Sequence, residues 1–207
     1  MLPAAYDATM AEPGTWDAVY VSDRAPWDIG RPQASFVALA DAGEIGSPVL
    51  DSGCGTGENA LMLAGRGLTA MGVDAAPTAI SAARRKALER GLDVTFEVGD
   101  VLALDRWNRT FATVIDSGVF HVFDDADRAR YVSSLSTVLD RGGVLHLLCF
   151  SELTPGDAGP RRVTQAELRA AFADGWRVDR IDGARFEVRA EFPLPPPSAW
   201  LARIVRD

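Results

Sequence analysis

Apolar positions along this chain fall into two alternating rhythms. Between residues 33 and 150, stretches with apolar side chains every third or fourth position alternate with short runs that are apolar almost throughout. The first rhythm suits helices with one buried face, and the second suits strands buried on both faces. Helices are therefore predicted in "QASFVALADAG" (33–43), "ENALMLAGRG" (58–67), "PTAISAARRKALERG" (77–91) and "DADRARYVSSLSTVLDRGG" (125–143). Strands are predicted in "SPVLDSG" (47–53), "LTAMGVD" (68–74), "DVTFEVGD" (93–100), "FATVIDSG" (111–118) and "VLHLLCF" (144–150). Pro77 falls in a first helical turn and Gly91 at a helix end, which sharpens those boundaries.

After Phe150 the order changes. "SELTPGDAGPRR" (151–162) is a loop rich in Pro and Gly, and "TQAELRAAFADG" (164–175) opens with Thr164 and Glu167 at capping-box spacing. "WRVDRIDGARFEV" (176–188) and "AWLARIVR" (199–206) then predict two closing strands joined through "PLPPP". Alternating strands and helices imply a mostly parallel sheet covered on both faces. The closing pair implies an antiparallel strand at its C-terminal end. The expectation is an α/β/α sandwich of seven strands, with residues 33–207 as one domain. The first 32 residues stand outside it as an aromatic segment.

Composition narrows the partners. The 207 residues carry a formal net charge of −8, a field that repels phosphate backbones and anionic membrane surfaces. Nucleic acid and membrane are not expected as partners, and a monomer or weak dimer is expected. No apolar run approaches the roughly 18 residues of a membrane span, and the N-terminus has no signal-peptide pattern. Two cysteines and two histidines make neither a disulfide framework nor a metal pattern, so a metal-free cytoplasmic protein is expected. Lys86 is the only lysine against twenty arginines, a bias expected of a GC-rich bacterial genome.

Candidate chemistry begins at "LDSGCGTGENA" (50–60). Gly53, Gly55 and Gly57 follow a predicted strand and open a predicted helix, the edge where ligands sit in such sheets. Small residues there let the backbone turn tightly and approach a ligand. The plain alternative is a glycine-rich turn. The spacing is G-x-G-x-G rather than the dinucleotide G-x-G-x-x-G, and Asp51 in front would repel a pyrophosphate. Asp51 instead suits the positive end of a ligand. Asp74, closing the second strand, can accept both hydroxyls of a ribose, and Asp100 after the third can hold an adenine amine. Together these describe a nucleoside with a cationic tail and no phosphate.

"LDSGCGTG", "GVD", "GDV" and "VIDSGVFH" resemble, in order and spacing, the successive motifs of the class I S-adenosylmethionine-dependent methyltransferases, from about Pro48 to Phe150. That resemblance implies a Rossmann-like fold and S-adenosylmethionine as cofactor. It implies that Gly53, Gly55 and Gly57 pack on the methionyl and ribose portions and that Asp74, with Ala75 beside it, binds the ribose. It also implies that Asp100 and Val101 hold the adenine, and that Asp116 and Ser117 floor the transferable methyl. Ser52 departs from the Val or Leu usual in the family. "TWDAVYVSDRAPWDIGRPQ" (15–33) is similar to the start of the thiopurine and halide/thiol methyltransferase group, whose aromatics enclose the cofactor. Trp16, Tyr20 and Trp27 stand in those places, as a lid whose faces attract a sulfonium, or as a plain hydrophobic cap. "APWDIGRPQ", "FHVFDDADRARYV" and "GPRRV" also resemble bacterial members of this group, some of which act on hydroxylated or thiolated heterocycles and quinone-like compounds.

The acceptor is expected to be a small molecule methylated at S, O or N, preferably a planar heteroaromatic or phenolic compound. Phe120 and His121, after the fourth strand, are the candidates for contact with it. His121 can take a proton or orient the acceptor, or merely hydrogen-bond its own loop. Arg161 and Arg162 can clamp an anionic acceptor or form a solvated surface pair. His146 and Cys149 read as core, and Cys54 as a packing residue of the glycine loop. Three other readings stand beside this one: a halide or thiol methyltransferase, a nicotinamide-dependent oxidoreductase with a degenerate fingerprint, and a catalytically silent cofactor-binding protein.

Overall fold

A computed structural model describes residues 15–23, 25–156, 159–190 and 196–207. The first fourteen residues of the N-terminal segment, residue 24, and parts of the 151–162 loop and the 193–197 linker lie outside the described residues. The helices are α1 (Thr15–Val21), α2 (Ala34–Asp41), α3 (Glu58–Gly65), α4 (Pro77–Arg90), α5 (Asp125–Val138) and α6 (Gln165–Ala171). The strands are β1 (Val49–Ser52), β2 (Ala70–Asp74), β3 (Thr95–Val98), β4 (Phe111–Ser117), β5 (Leu139–Phe150), β6 (Trp176–Arg185) and β7 (Ser198–Arg206). They form one sheet in the order β3-β2-β1-β4-β5-β7-β6, in which only the pairings of β7 are antiparallel.

The apolar runs are continuous because each strand feeds two cores in alternation. Leu50, Val114, Leu147 and Cys149 face α5 and α6, with Tyr131, Leu135 and Phe172. Val49, Ile115, Leu148 and Phe150 face α2, α3 and α4, with Phe36, Leu61 and Ile80. This gives the predicted α/β/α sandwich. Local signals hold too. Gly91 caps α4 in the left-handed region, and Thr164 and Glu167 close a capping box on α6. Asp124 caps α5 through the amide of Asp127, so the acidic run "DDADR" is a helix start.

The clearest departure from expectation is at the end of α5, and α6 and β6 also end early, at Ala171 and Arg185. The predicted helix 125–143 ends at Val138, and residues 139–143 begin β5 instead. Leu139 is fully buried and pairs with Phe111, while Gly142 takes a φ of 76°, incompatible with helix. A 3-10 segment, Val101–Trp107, also follows β3 without any signal in the apolar rhythm. It is held by Ser134 of α5, whose hydroxyl accepts from Leu104 and donates to the Val101 carbonyl.

The chain leaves β1 toward β2 and leaves β4 toward β5, so β1 and β4 are neighbours whose connections diverge. In open α/β sheets that switch point is where a crevice forms. Ser52 pairs with both Val73 and Asp116, so Gly53, Asp74 and Ser117 emerge on one row at the sheet's C-terminal edge.

Close packing under that edge is testable at Gly72 of β2. A Cβ there would lie 2.7 Å from the Cys54 sulfur and 2.7 Å from the Phe96 ring, both buried. Gly72→Ala is therefore expected to lower stability by about 1–3 kcal/mol. Urea unfolding measures it, and Phe96→Leu in the same chain should recover part of the loss.

Candidate functional site

The loop after β1 turns on glycines held in left-handed conformations. Gly53 and Gly55 have φ of 69° and 52°, and Gly57 (φ 85°) is the N-cap of α3. The loop is also closely covered. A Cβ on Gly53 would meet the Val119 side chain at 2.1 Å, and one on Gly55 would meet the Tyr20 hydroxyl at 2.7 Å. Only glycine tolerates both the turn and the approach.

Three carboxyls lie buried around this loop. Asp74 Oδ2 accepts from the Gly55 amide at 2.8 Å and Oδ1 from the Ala76 amide at 2.9 Å. Asp51 Oδ2 accepts from the Ala60 amide at 3.2 Å, while its buried Oδ1 has no partner among the described residues. Asp116 accepts from the amides of Val119 (2.7 Å) and Phe120 (3.1 Å), which turns the chain sharply after β4. Burial pushes the Asp51 and Asp116 carboxyls up to about 7 and also raises Asp74. Asp100 stays exposed at the end of β3 and caps the 3-10 segment by accepting from Leu102 at 2.8 Å. Val101 beside it is buried, and Ala75 is exposed next to Asp74.

The N-terminal segment lies over the loop. Asp17 of α1 accepts from the Thr78 amide at 2.7 Å, docking α1 on the start of α4. Trp27 Nε1 donates to the Tyr20 hydroxyl at 2.8 Å, and Trp27 packs edge-on against both Trp16 and Tyr20. Burial pushes the Tyr20 hydroxyl well above its usual range, with the neighbouring Asp74 adding to the shift. The three aromatics predicted in the segment thus form one cluster on Gly55.

On the far side of β4, Phe120 and His121 begin a short 3-10 turn. His121 Nδ1 accepts from the Phe150 amide at 3.0 Å, so the neutral ring carries its proton on Nε2. Burial, with Arg128 and Arg162 nearby, pushes the imidazole down to about 3. The ring packs against Phe150 (4.9 Å) and Phe186 (5.7 Å), and its Nε2 faces Gly118. Phe120 is fully buried under the guanidinium of Arg128, 4.6 Å away. The structure does not bring Arg161 to this cluster: it pairs with Asp125 and Glu167 at the surface. Arg162 lies over the Phe150 ring at 5.5 Å and donates to the carbonyls of Thr154, Pro160 and Gly156.

Residues that sequence reasoning passed over complete the site. Phe150 and Phe186 pack on His121, Arg128 donates to the carbonyl of the adjacent Phe120, and Val119 covers Gly53. Thr56, Lys86 and Asp28 tie the segment to the loop. The lone lysine was the one available signal. His146 and Cys149 are core, and both cysteines are free and buried. His146 Nε2 lies 3.1 Å from the Glu44 carbonyl oxygen.

A methyltransferase domain family matches residues 49–143. The chain is 41% identical over 165 residues to a 2-heptyl-1-hydroxyquinolin-4(1H)-one methyltransferase of Mycobacteroides abscessus, covering 78% of this chain and 73% of that one. The chain belongs to the class I S-adenosylmethionine-dependent methyltransferases. Similar solved structures agree in fold. One, from the conversion of a disulfide bond into a thioacetal group during echinomycin biosynthesis, is 40% identical with a TM-score of 0.86. It covers 95% of this chain and 93% of that one. The magnesium protoporphyrin IX methyltransferase of Synechocystis PCC 6803 with bound SAH is 25% identical, with a TM-score of 0.64 over 84% of this chain and 80% of that one.

Family membership removes the nicotinamide oxidoreductase as a reading. It makes S-adenosylmethionine the cofactor of this methyltransferase, and the site's chemistry fits it. Side chains of Val119 and Tyr20 lie directly on the glycine backbone, and a buried Asp51 oxygen with no partner among the described residues suits a donor or cation. No helix among the described residues is long and apolar enough to cross a membrane, and they hold no cluster of metal-ligating side chains.

The buried acids make stability depend on pH in the ligand-free methyltransferase. Asp51 and Asp116 are raised from 3.8 to about 7 on folding. Their contribution is full below pH 4 and is lost as pH climbs toward about 7, by on the order of 1.4 kcal/mol per pH unit for each carboxyl. Urea unfolding between pH 4 and 8 should show this decline. Asp51→Asn should make the decline shallower.

Proposed function

We propose that this methyltransferase methylates a planar heteroaromatic or phenolic small molecule at O, S or N, and that residues 15–32 form a lid over its cofactor. One observation carries the acceptor assignment. His121 is a neutral Nε2–H donor, set between the rings of Phe150 and Phe186 at the end of β4. Flat aromatic walls favour a flat acceptor by offset and edge contacts. The relationship to the hydroxyquinolone methyltransferase supports the same class.

In this reading Gly53, Gly55 and Gly57 carry the methionyl and ribose portions, Asp74 with Ala75 the ribose, and Asp100 with Val101 the adenine. Asp51 faces the positive end, and Asp116 and Ser117 shape the floor. Trp16, Tyr20 and Trp27 exclude water from above. S-adenosylmethionine supplies an electrophilic methyl on a sulfonium. The protein's task is alignment of the acceptor's lone pair with the bond that breaks, an effect that reaches roughly 7–11 kcal/mol in ideal cases. His121 orients the acceptor rather than removing its proton, because its Nδ1 lone pair is taken and its pKa lies far below neutrality. An acceptor that ionises by itself requires no base. Arg162 packs over Phe150 beside His121, while Arg161 pairs with Glu167 of α6 at the surface.

A thiol acceptor is the second reading. It is favoured by the 40% identical structure from the conversion of a disulfide bond into a thioacetal group. It is also favoured by the 25% identity to a probable thiol methyltransferase of Arabidopsis thaliana, covering 66% of this chain and 62% of that one.

Turnover of labelled S-adenosylmethionine on hydroxyquinolines, phenols, thiols and iodide tests the proposal. Methylated hydroxyquinoline or phenol is the expected product. S-adenosylhomocysteine appearing with none of them would favour a catalytically silent binder over these acceptors. His121→Phe is expected to lower kcat/KM for the acceptor by roughly 10- to 100-fold while leaving S-adenosylhomocysteine affinity intact. His121→Gln should lose less. The wild-type pH profile should follow ionisation of the acceptor, with no limb from the imidazole between pH 5 and 8. Trp27→Ala should weaken cofactor binding by about 0.5–2 kcal/mol while changing stability less. Calorimetric titration beside thermal unfolding measures both.

A further inference from the structure

The chain's single lysine takes no part in the reaction just described, yet it sits where the N-terminal segment meets the glycine loop. Lys86 Nζ donates to the Thr56 hydroxyl at 2.7 Å, to the Thr56 carbonyl at 3.2 Å and to Glu58 Oε1 at 2.9 Å. All three ammonium protons are thereby used. Glu58 is fixed in turn by a two-pronged pair with Arg90. Since the Thr56 oxygen accepts from an ammonium, its own proton points the other way, to Asp28 Oδ1 at 2.8 Å. The relay therefore runs in one direction, from ammonium to hydroxyl to carboxylate, and is charge-assisted at both ends.

Its position gives it leverage. Asp28 directly follows Trp27, which holds the Tyr20 hydroxyl over Gly55. Asp17 anchors α1 on Thr78, and Asp23 pairs with Arg189. The relay anchors the next stretch, the one that carries Trp27. Thr56 and Glu58 are buried, but Asp28 and Lys86, with Asp23 and Arg189, wall an open cavity of about 400 Å³. The two ends of the relay thus meet solvent, while the hydroxyl between them is buried.

We propose that Lys86 is a positioning residue that, through the Thr56 hydroxyl, latches Asp28 and the Trp27–Tyr20 pair over the glycine loop and so sets how fast cofactor and product leave. The release half of this rests on the reading of that loop as the cofactor site. The latch half does not.

Two measurements test it. Hydrogen–deuterium exchange on the ligand-free protein reads the latch directly. Lys86→Met is expected to speed exchange by about tenfold in residues 17–30 and not elsewhere, and Lys86→Arg to stay near wild type. Stopped-flow release of S-adenosylhomocysteine should quicken by a similar factor in Lys86→Met. Adding Asp28→Asn to it should change little, because both substitutions break one relay. Exchange that is unchanged, or faster evenly along the chain with a lower Tm, overturns the latch, and release at the wild-type rate overturns its control of release. If wild-type protein binds no S-adenosylhomocysteine, the loop assignment fails instead, and exchange in residues 17–30 still decides the latch.

Discussion

The carboxylate of Asp74 is the contact on which the rest of the structure turns. It ends β2, yet it spends one oxygen on the amide of Gly55 and the other on that of Ala76. One side chain thus fixes the shape of the loop after β1 and the start of α4. The loop is forced into a left-handed path that only glycine follows without strain. Because the Gly55 amide is drawn down to Asp74, the loop's upper surface is bare backbone, and Tyr20 comes to rest on it. Burying a carboxyl for this purpose is costly, as its raised pKa records, and two amide donors offset part of that cost.

Charge is divided across the site. Asp51, Asp74 and Asp116 gather around the end of β1, while Arg128 stands over Phe120 and Arg162 over Phe150, beside His121. In the proposed arrangement a cationic donor meets the acidic half and an electron-rich acceptor the basic half. Loss of the donor's charge on transfer removes its attraction to the acids, which favours release of the neutral product. Burial of the ring, helped by the guanidinium groups nearby, leaves the His121 imidazole neutral and suited to donating a hydrogen bond.

Much of this was legible in the chain before folding was considered. Strands with apolar residues at every position predicted a sheet buried on both faces, and that is what alternate contact with two cores produces. Caps at Gly91, Asp124 and Thr164 were local signals with local causes. The end of α5 was missed because residues 139–143 carry no strand rhythm; they are drawn into β5 by pairing with Phe111 and by Gly142. The 3-10 segment after β3 was missed for a similar reason, since Ser134, distant in sequence, holds it.

The acidic and glycine positions at strand ends were determined by the sequence alone, because they fall within single β-to-α turns whose strands the apolar rhythm marks. Local rules reach that far. Which aromatic rings enclose His121, which arginine stands over Phe120, and that Arg161 turns to Asp125 and Glu167 were decided only by tertiary structure. So was the meeting of Asp28, Thr56 and Lys86 at one hydroxyl. Most of these contacts join residues tens of positions apart, and no periodicity records a distance that only the packing of helices on a sheet creates.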